Sequence, residues 1–283
     1  MMTDLPLPLV DSIVDRALAE DLGSGDITTE ACIDADAIAV AHGVARGAIV
    51  ACGAPVVARV FARIDPRLDV TIDTADGSRV SRGAILWRVK GSARSVLMGE
   101  RVALNFAQRM SGIATVTRSY VDAVPEGAKT RITDTRKTTP GLRLFERYAV
   151  RAGGGKNHRD NLGSAVLIKD NHIVACGGVG KAIARARERA PHTSKIECEV
   201  DTLAQLGEAL AAGADIVLLD NMDTATVAEA VRITAGRAFL EASGGITPPR
   251  VTELARAGVD AISVGAALTH SAPAADIGVD FIA

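Results

Sequence analysis

The segment KIECEVDTLAQLGEALAAGADIVLLD, residues 195–220, decides the predicted fold. Its first run, KIECEV, and its last, DIVLL, carry branched apolar residues and predict two buried strands. Between them, LAQLGEALAAG predicts a helix over 203–213, because its apolar residues recur every three to four positions. Strands and helices that alternate with short connections form parallel sheets with right-handed crossovers. The segment therefore predicts an α/β fold.

The same alternation extends on both sides of this segment. From residue 195 onward, predicted strands start about 20 to 23 residues apart, the size of one strand–helix unit. The six predicted strands are KTRIT (129–133), AVLIK (165–169), KIECEV (195–200), DIVLL (215–219), AFLEA (238–242) and DAISV (260–264). Further helices are predicted over 181–190, 224–234 and 248–258. An irregular (β/α) barrel and a full eightfold barrel both fit this pattern, and a doubly wound sheet is the alternative.

The first part of the chain has a different pattern. An apolar stripe opposite an acidic face predicts a helix over 8–22. Short strand-like runs separated by glycine-containing turns follow between residues 37 and 90. A long helix is predicted over 93–111, and a second helical stretch is predicted to begin at Gly112. These features predict a smaller α+β domain ahead of the barrel.

Composition argues against several classes of protein. The chain has 283 residues with a net charge of −2 and only 3% aromatic residues, which argues against nucleic-acid binding. No apolar run approaches the roughly 20 residues that span a bilayer, so we expect no membrane association. The N-terminus lacks the basic region of a signal peptide. The cysteines, which have no metal-binding spacing and indicate reduced thiols in a cytoplasmic protein, are Cys32, Cys52, Cys176 and Cys198.

Positive charge is concentrated between Asp134 and His172. This segment holds eight Lys or Arg residues against four Asp or Glu residues, in a chain that is slightly acidic overall. Such a concentration is typical of a site that binds an anion. Lys169 ends a predicted buried strand, where an ammonium group is costly to place without a partner. The alternative is a basic surface patch with structural glycines.

Polar residues also follow the other predicted strands, and parallel strands of a barrel present their C-terminal ends on one active face. The cations at this face are Arg136, Lys137, His158, Arg159 and Lys169, and the carboxylates are Glu199 and Asp220. The turns after the last two strands hold Ser243, Gly244, Gly245 and Gly265, each predicted to precede a helix. Glycine-rich turns that open helices bind phosphate. The alternatives are structural pairing with lysine for the carboxylates and a neutral structural role for the histidine.

This inventory exceeds what one phosphate requires. It fits a phosphorylated sugar that bears a pyrophosphate, together with a di-acid. The carboxylates would stabilise positive charge on the sugar, position its hydroxyls or hold Mg²⁺ through water. Motifs for Ser-His-Asp hydrolysis and for a P-loop are missing from the sequence. Two alternatives remain, a class I aldolase with a Schiff base on Lys169 and a phosphosugar-binding module.

Six motifs, in this order, resemble those of the quinolinate phosphoribosyltransferase family. They are DTRKTTPGLR (134–143), GGGKNHR (153–159), LIKDNH (167–172), LLDNM (218–222), LEASGGI (240–246) and VDAISVG (259–265). The resemblance also covers GSGDITT (23–29), the run ERVALNFAQRMSGIATVT (100–117), LTHSAP (268–273) and DIG (276–278). A paralogous branch associated with molybdenum transport genes lacks the IKDNH sequence, so it is the second choice within the family.

The resemblance implies an irregular α/β barrel over 113–272 and a smaller N-terminal α/β sandwich over 1–112, to which the tail 273–283 returns. It implies a homodimer, with a hexamer as a further possibility, in which each site is completed by the partner. The implied reaction joins quinolinate to phosphoribosyl pyrophosphate and yields nicotinate mononucleotide, pyrophosphate and CO₂ for NAD biosynthesis. The implied cofactor is Mg²⁺, held mainly through the pyrophosphate of the substrate.

The resemblance also implies roles for single residues. Thr135, Arg136, Lys137, His158, Arg159 and Lys169 match substrate-binding positions, and Glu199 and Asp220 match the acidic pair near the ribose. Those with an implied catalytic role are Lys137, Lys169, Glu199 and Asp220. The phosphate loops are matched by Ser243-Gly244-Gly245 and Val264-Gly265-Ala266, and Arg101 matches an arginine supplied by the partner. VGAALTHS (264–271) holds one Ala more than the usual VGALTHS, which affects the register of the helix expected after Gly265.

Overall fold

The computed structural model describes residues 5–282. Its chain divides into two compact units. Unit 1 is formed by the described residues of Met1–Arg118, Thr138–Gly154 and Leu268–Ala283, and unit 2 comprises Ser119–Lys137 and Gly155–Ala267. This division separates regions by their contacts, and the sequence-based boundary at 112/113 stays a prediction.

Unit 1 contains the antiparallel sheets of the chain. Its strands are β1 (Ile38–Ala45), β2 (Ile49–Val50), β3 (Asp69–Ile72), β4 (Arg79–Val80), β5 (Ile85–Ser92) and β12 (Ile277–Ile282). Four of them form a sheet in the order β12-β1-β5-β3, and β2 pairs with β4. Because Ala41 of β1 lies opposite Phe281 of β12, residues near the end of the chain complete a sheet that is begun near its start. Ala283, the last residue of the predicted returning tail, lies outside the described residues.

The helices of unit 1 pack through the apolar stripes that the sequence indicates. They are α1 (Leu7–Leu22), α2 (Ile27–Cys32), α3 (Ala54–Ile64) and α5 (Arg143–Ala152). Helix α1 buries Val10, Val14 and Leu18, which follow one another at intervals of four residues and lie on one face. Arg59 on α3 forms an ion pair with Asp11 on α1 at 2.8 Å, which joins the polar edges of the two helices. The helix predicted over 8–22 is therefore present.

Helix α4 runs without a break from Ala93 to Asp122. The prediction that Gly112 begins a second helical stretch is therefore wrong. A Cβ atom on Gly112 would lie 2.0 Å from the carbonyl oxygen of Pro273, so the glycine permits a close approach of two segments. Glycine in a helix costs about 1 kcal/mol relative to alanine, which is why the sequence alone indicates a break.

Unit 2 contains the six parallel strands that the sequence predicts. They are β6 (Arg131–Thr133), β7 (Val166–Ile168), β8 (Ile196–Val200), β9 (Ile216–Asp220), β10 (Phe239–Ser243) and β11 (Ala261–Ser263). The helices that alternate with them are α6 (Asp170–Cys176), α7 (Val179–Arg189), α8 (Leu203–Ala211), α9 (Thr224–Thr234) and α10 (Pro248–Ala257). The helices predicted over 181–190, 203–213, 224–234 and 248–258 correspond to α7 to α10.

The strand order is β6-β11-β10-β9-β8-β7. Strands β7 to β11 are neighbours in chain order and β6 joins β11, so the order is cyclic with an opening between β6 and β7. A doubly wound sheet would reverse its order at a switch point, and this one does not. At the open edge, Lys156 forms an isolated parallel bridge with Thr133. The predicted fold class, an irregular barrel with a smaller α+β region, is confirmed.

Within residues 5–282 there is no helix with both the length and the apolar composition that crossing a membrane requires.

Candidate active site

Two adjoining cavities lie in unit 2, at the C-terminal ends of the barrel strands. The first, with a volume of about 580 Å³, is lined mainly by the loops after β9, β10 and β11, and we call it the loop cavity. The second, with a volume of about 360 Å³, is lined mainly by charged side chains, and we call it the barrel cavity. Residues in the walls of both are Thr135, Lys137, Asp220, Ser243 and Ser263. These shared walls make the two cavities one continuous site.

All fourteen predicted site residues of unit 2 line this site. Those in the wall of the barrel cavity are Thr135, Arg136, Lys137, His158, Arg159, Lys169, Glu199, Asp220 and Ser243. Those that line the loop cavity alone are Gly244, Gly245, Val264, Gly265 and Ala266. The remaining predicted residue, Arg101, is an exposed residue of α4 in unit 1. The structure therefore gathers residues that are widely separated in sequence.

The loop after β10 requires glycine at its centre. Gly244 has a φ of +95°, which residues with a side chain rarely adopt. A Cβ atom there would lie 2.0 Å from Oδ1 of Asn221. Asn221 is itself fixed, since its N–H donates to the carbonyl oxygen of Ser243 at 3.0 Å and its Nδ2 donates to Asp220 at 2.7 Å. The loops after β9 and β10 thus hold each other in position around the loop cavity.

The loop after β11 differs from the prediction. Residues 266–271 form turns, so the expectation that Gly265 opens a helix is wrong. Pro273 disfavours helical geometry in the residue before it, and the segment ahead of it is too short for a stable helix. The additional Ala in VGAALTHS lies in this turn region, so it shifts the register of no helix. Gly265 still has a spatial role, because a Cβ atom there would lie 2.9 Å from Cδ of Lys137.

Cations crowd one wall of the barrel cavity. Burial and the neighbouring guanidinium of Arg136 lower the pKa of Arg159, the direction that two close positive charges produce. Arg159 donates from Nη1 to the carbonyl oxygen of Ala165 at 3.2 Å. Lys169, which precedes α6, forms an ion pair with Glu199. A bound anion would relieve the repulsion between these cations.

The two predicted carboxylates have different surroundings. Glu199 is ion-paired with Lys169, so the structural pairing considered from the sequence is present, and it lies in the wall of the cavity. Asp220 lines both cavities and accepts a hydrogen bond from the side chain of Asn221 at 2.7 Å. Asp220 therefore lies where the two cavities meet, so a substrate that extends into both would lie beside it.

His158, Glu197 and Glu241 form a buried cluster, and two of them, His158 and Glu241, line the barrel cavity. The two glutamates were not among the predicted site residues. Nε2 of His158 lies 3.0 Å from Oε2 of Glu197 and 3.6 Å from Oε1 of Glu241. Glu197 and Glu241 are only 2% and 4% exposed. Burial and the charge of Glu197 raise the pKa of Glu241 to about 7. Burial and a neighbouring negative charge both disfavour the ionised form of a carboxyl group, which accounts for this direction.

The imidazole of His158 is held at both nitrogens. Burial lowers its pKa, the carboxylates of Glu197 and Glu241 raise it, and the net direction is upward. Nδ1 accepts a hydrogen bond from the backbone N–H of Arg159 at 2.7 Å, which works against a second proton on the ring. We therefore assign the neutral tautomer with its proton on Nε2, directed at the two carboxyl groups.

Asp134 positions the loop that carries His158 by accepting two hydrogen bonds from it. It is fully buried at the end of β6, and its Oδ1 accepts a hydrogen bond from the backbone N–H of His158 at 2.7 Å. Its Oδ2 accepts one from Nδ2 of Asn157 at 2.6 Å. The motifs DTRK and KNHR, at opposite ends of α5 in sequence, are thereby joined in space.

A sequence signal for the missed acids exists. Glu197 and Glu199 are two residues apart on β8, so both point to the same side of the sheet, where Glu199 was already a candidate. Glu241 occupies the middle of the apolar run FLEA on β10. A carboxyl group inside a buried strand is rare without a partner or a role, which would have identified both.

Known proteins of one family resemble this chain along most of its length. Residues 26–111 match the family model for the N-terminal domain of quinolinate phosphoribosyl transferase, and residues 113–280 match that for its C-terminal domain. A probable nicotinate-nucleotide pyrophosphorylase (carboxylating) from Bacillus subtilis is 41% identical over 268 residues, which cover 95% of this chain and 92% of that protein. The nicotinate-nucleotide pyrophosphorylase (carboxylating) of Mycobacterium leprae is 42% identical over 288 residues, covering 99% of this chain and all of that protein.

A solved structure extends the likeness to three dimensions. The crystal structure of NadC from Streptococcus pyogenes superposes with a TM-score of 0.94 at 43% identity, covering 99% of this chain and 100% of that one. Both parts of the sequence match the same family, and relatives of this similarity extend along nearly its whole length. The chain therefore belongs to the quinolinate phosphoribosyltransferase family.

Proposed function

We propose that this chain transfers the phosphoribosyl group of phosphoribosyl pyrophosphate to quinolinate and releases pyrophosphate and CO₂, giving nicotinate mononucleotide. The observation that carries this proposal is the two-part site, in which a glycine-rich backbone cavity adjoins a cavity lined with cations. A phosphosugar and an aromatic di-acid require these two kinds of wall side by side. Family membership agrees with the reaction.

Each substrate group has a complementary wall. The 5′-phosphate of the sugar would bind in the loop cavity, among the backbone N–H groups of Gly244, Gly245 and Gly265. The two carboxylates of quinolinate would bind in the barrel cavity, against Arg136, Arg159 and Lys169. The ribose would then lie at the shared wall, beside Asp220.

In this placement, the protein promotes the transfer by orienting the two substrates and by stabilising charge on the ribose. Departure of pyrophosphate leaves positive charge on the ribose, which the carboxylates of Glu199 and Asp220 stabilise. The pyridine nitrogen attacks ribose carbon 1, with its direction fixed by the two bound carboxylates. The pyridinium ring then withdraws electrons from the bond to the 2-carboxylate, and CO₂ departs. Lys137, in the wall of both cavities, is placed to contact the phosphate groups.

We also propose Mg²⁺ as cofactor, carried mainly by the substrate. Among residues 5–282, one group of three side chains is close enough to hold a metal ion, and it consists of His158, Glu197 and Glu241. The predicted carboxylates, Glu199 and Asp220, are not part of it. The two predicted carboxylates stand apart, Asp220 at the shared wall and Glu199 in the barrel cavity alone. This arrangement fits an ion that arrives on pyrophosphate oxygens and meets the protein through water. Asp220 is the residue that would contact such water. When bound, the ion neutralises charge on the departing pyrophosphate.

A homodimer with shared sites completes the proposal. Arg101 supports it, because this exposed arginine makes no hydrogen bond or ion pair among the described residues and is free to bind a carboxylate of the partner's substrate. Assembly of such dimers into hexamers is a further expectation. A reducing, cytoplasmic location also stays a prediction, supported by four cysteines that are free thiols.

Incubation with quinolinate, phosphoribosyl pyrophosphate and Mg²⁺ tests the proposed reaction. Nicotinate mononucleotide, pyrophosphate and CO₂ should appear in equal amounts, and omission of any one of the three additions should abolish them. The aldolase alternative requires an uncharged Lys169, whereas this lysine is ion-paired with Glu199. Borohydride trapping of a carbonyl substrate on the chain would support the aldolase, and saturable binding without turnover would support a binding module.

A further inference from the structure

In the buried cluster of His158, Glu197 and Glu241, the histidine matches a substrate-binding position, and the two glutamates have no part in the reaction as described so far. Phosphate binding, carboxylate binding and charge stabilisation on the ribose use other residues of the site. Yet Glu241 lies in the wall of the barrel cavity, where the carboxylates of quinolinate would bind. A carboxyl group that is 4% exposed and faces a substrate is costly to place without a role.

The chemistry of the reaction leaves one demand unmet. When the bond between ring carbon 2 and its carboxylate breaks, CO₂ departs and the electron pair stays on carbon 2. The product carries hydrogen at that carbon, so a proton has to be supplied. Until it arrives, the carbanion can recombine with CO₂, and net decarboxylation therefore depends on an acid close to carbon 2.

Three carboxyl groups line the barrel cavity, and they differ in their bonding partners. Glu199 is ion-paired with Lys169, and Asp220 accepts a hydrogen bond from Asn221. Oε1 of Glu241 accepts no hydrogen bond of good geometry among the described residues. Its polar neighbour is the hydroxyl of Ser263, which lies close enough to lower the pKa of Glu241 slightly against the larger effect of burial. Burial and the charge of Glu197 raise the pKa of Glu241 to about 7, so it holds a proton for much of the time at neutral pH. Glu241 is the carboxyl group suited to donate.

A metal ion would be the other use for such a cluster. The tautomer of His158 argues against it, because Nδ1 accepts the N–H of Arg159 at 2.7 Å and the ring proton then occupies Nε2. A nitrogen that carries a proton has no lone pair for a metal. Nε2 lies 3.0 Å from Oε2 of Glu197, so its N–H is placed to donate a hydrogen bond to that carboxyl group.

We propose that Glu241 is the acid that protonates ring carbon 2 after decarboxylation, with Glu197 and His158 as positioning residues that keep its proton in place. This inference rests on the proposed function. The bond from carbon 2 to the carboxylate breaks, CO₂ departs, and the electron pair on carbon 2 takes the proton of Glu241 to form a C–H bond. Glu241 is left as a carboxylate and regains a proton from water once product has left, so each turnover consumes one solvent proton.

Other charged groups around the cluster set the pH at which this proton is held. The negative ones are Glu197 on β8 and Asp134 at the end of β6, which both raise the pKa of Glu241. The influences that lower it are any positive charge on His158 and the hydroxyl of Ser263 on β11. Arg136, Arg159 and Lys169 line the same cavity. Burial of Glu241 is the largest of these influences and favours its protonated form.

The test separates the two chemical steps of a single turnover. The full-length enzyme is mixed in a rapid-quench instrument with phosphoribosyl pyrophosphate, Mg²⁺ and quinolinate labelled in its 2-carboxyl group, and pyrophosphate and labelled CO₂ are measured. In the wild-type enzyme, the two products should appear together. In Glu241→Gln, pyrophosphate should form at nearly the wild-type rate while CO₂ lags by about 10²-fold and quinolinate mononucleotide accumulates. Glu241→Asp, which keeps an acid, should restore much of the coupling.

The control is Glu253→Gln, which removes a surface carboxylate paired with Arg250 and should leave both products unchanged. Simultaneous wild-type release in Glu241→Gln would overturn the proposal, and so would an equal slowing of both products, which indicates a role in binding or structure. A bound transition metal that is present in the wild type and lost in Glu241→Gln would also overturn it. If the wild type releases neither product, the proposed function itself fails.

A measurement on the unaltered enzyme covers the case in which Glu241→Gln does not fold. Because Glu241 with its raised pKa is protonated below about 7 and loses its proton above, CO₂ release should fall behind pyrophosphate release as pH rises from about 6 to about 9. If the ratio of the two rates does not change with pH, Glu241 is not the donor.

Discussion

The loop cavity and the barrel cavity differ in what their walls are made of. The loop cavity is bounded largely by backbone at Gly244, Gly245 and Gly265, with Lys137 as its one cation. The barrel cavity is smaller, and it holds three carboxyl groups and five basic side chains if His158 is counted. In the proposed function, the first would recognise its ligand by the conformation of the chain, and the second by the charge of its side chains.

This difference has a consequence for mutation. Backbone N–H groups persist when a side chain is replaced, so the loop cavity is sensitive only to changes that move the chain. Each cation of the barrel cavity can be removed singly, and what it leaves behind is an unmatched charge in a partly buried site. We therefore expect large effects from single charges and smaller ones from single glycines.

The largest effect should come from removing a charge on the substrate. Nicotinate lacks one carboxylate of quinolinate, so cations of the barrel cavity would stay without a counter-charge. We expect kcat/KM for nicotinate to be lower by about 10³-fold or more. Parallel assays of the two acids under the same conditions measure this ratio. Comparable turnover would mean that the cations serve only the phosphates and that the two cavities do not differ as described.

Removing a cation from the protein should have the next largest effect. Lys137→Ala and Lys169→Ala should each lower kcat/KM by about 10²- to 10³-fold while thermal unfolding stays close to that of the wild type. Their combined effect should be less than the product of the single effects, since both act on one bound anionic assembly. Lys181→Ala, an exposed change on α7, is the matched control. Near wild-type turnover in either site variant would show that the replaced lysine does not act in the site.

Arg101→Ala tests whether the barrel cavity gains a cation from a partner chain. We expect a loss of about 10²-fold, since one guanidinium contact to a carboxylate is removed. Mixed with Lys137→Ala chains and reassembled, the inactive variant should regain activity, because half the sites of a mixed dimer carry both defects and the other half carry neither. If subunit exchange is demonstrated and activity does not return, Arg101 acts within its own chain or only in structure.

The smallest effect is expected in the loop cavity. Gly244→Ala places a Cβ atom against Asn221 at a φ of +95°, so the loop has to shift. We expect KM for phosphoribosyl pyrophosphate to rise by about 10-fold, with a stability loss of about 1 to 3 kcal/mol. Gly213→Ala is the control, since its φ is +75° with nothing within 4 Å, and it should lose stability alone. An unchanged KM in Gly244→Ala would show that this backbone does not bind the phosphate.

The sequence by itself determined the barrel and the cationic part of its site. The six strands were readable because each is a short apolar run, and the helices between them because their apolar residues recur with helical spacing. Residues such as Lys169 and Asp220 could be found because a polar residue that directly follows a buried strand must lie at its end. The local sequence pattern is sufficient to predict a site residue wherever its position along a strand determines its position in the barrel.

Only the tertiary structure decided the features that depend on distant segments. Gly112 continues a helix because Pro273 approaches it, and the residues after Gly265 form turns where helix was expected. The meeting of His158 with Glu197 and Glu241 depends on three separate barrel elements and on the register between their strands. No local pattern encodes such a distance, and the raised pKa of Glu241 arises from that proximity and from burial, which exist only in the folded chain.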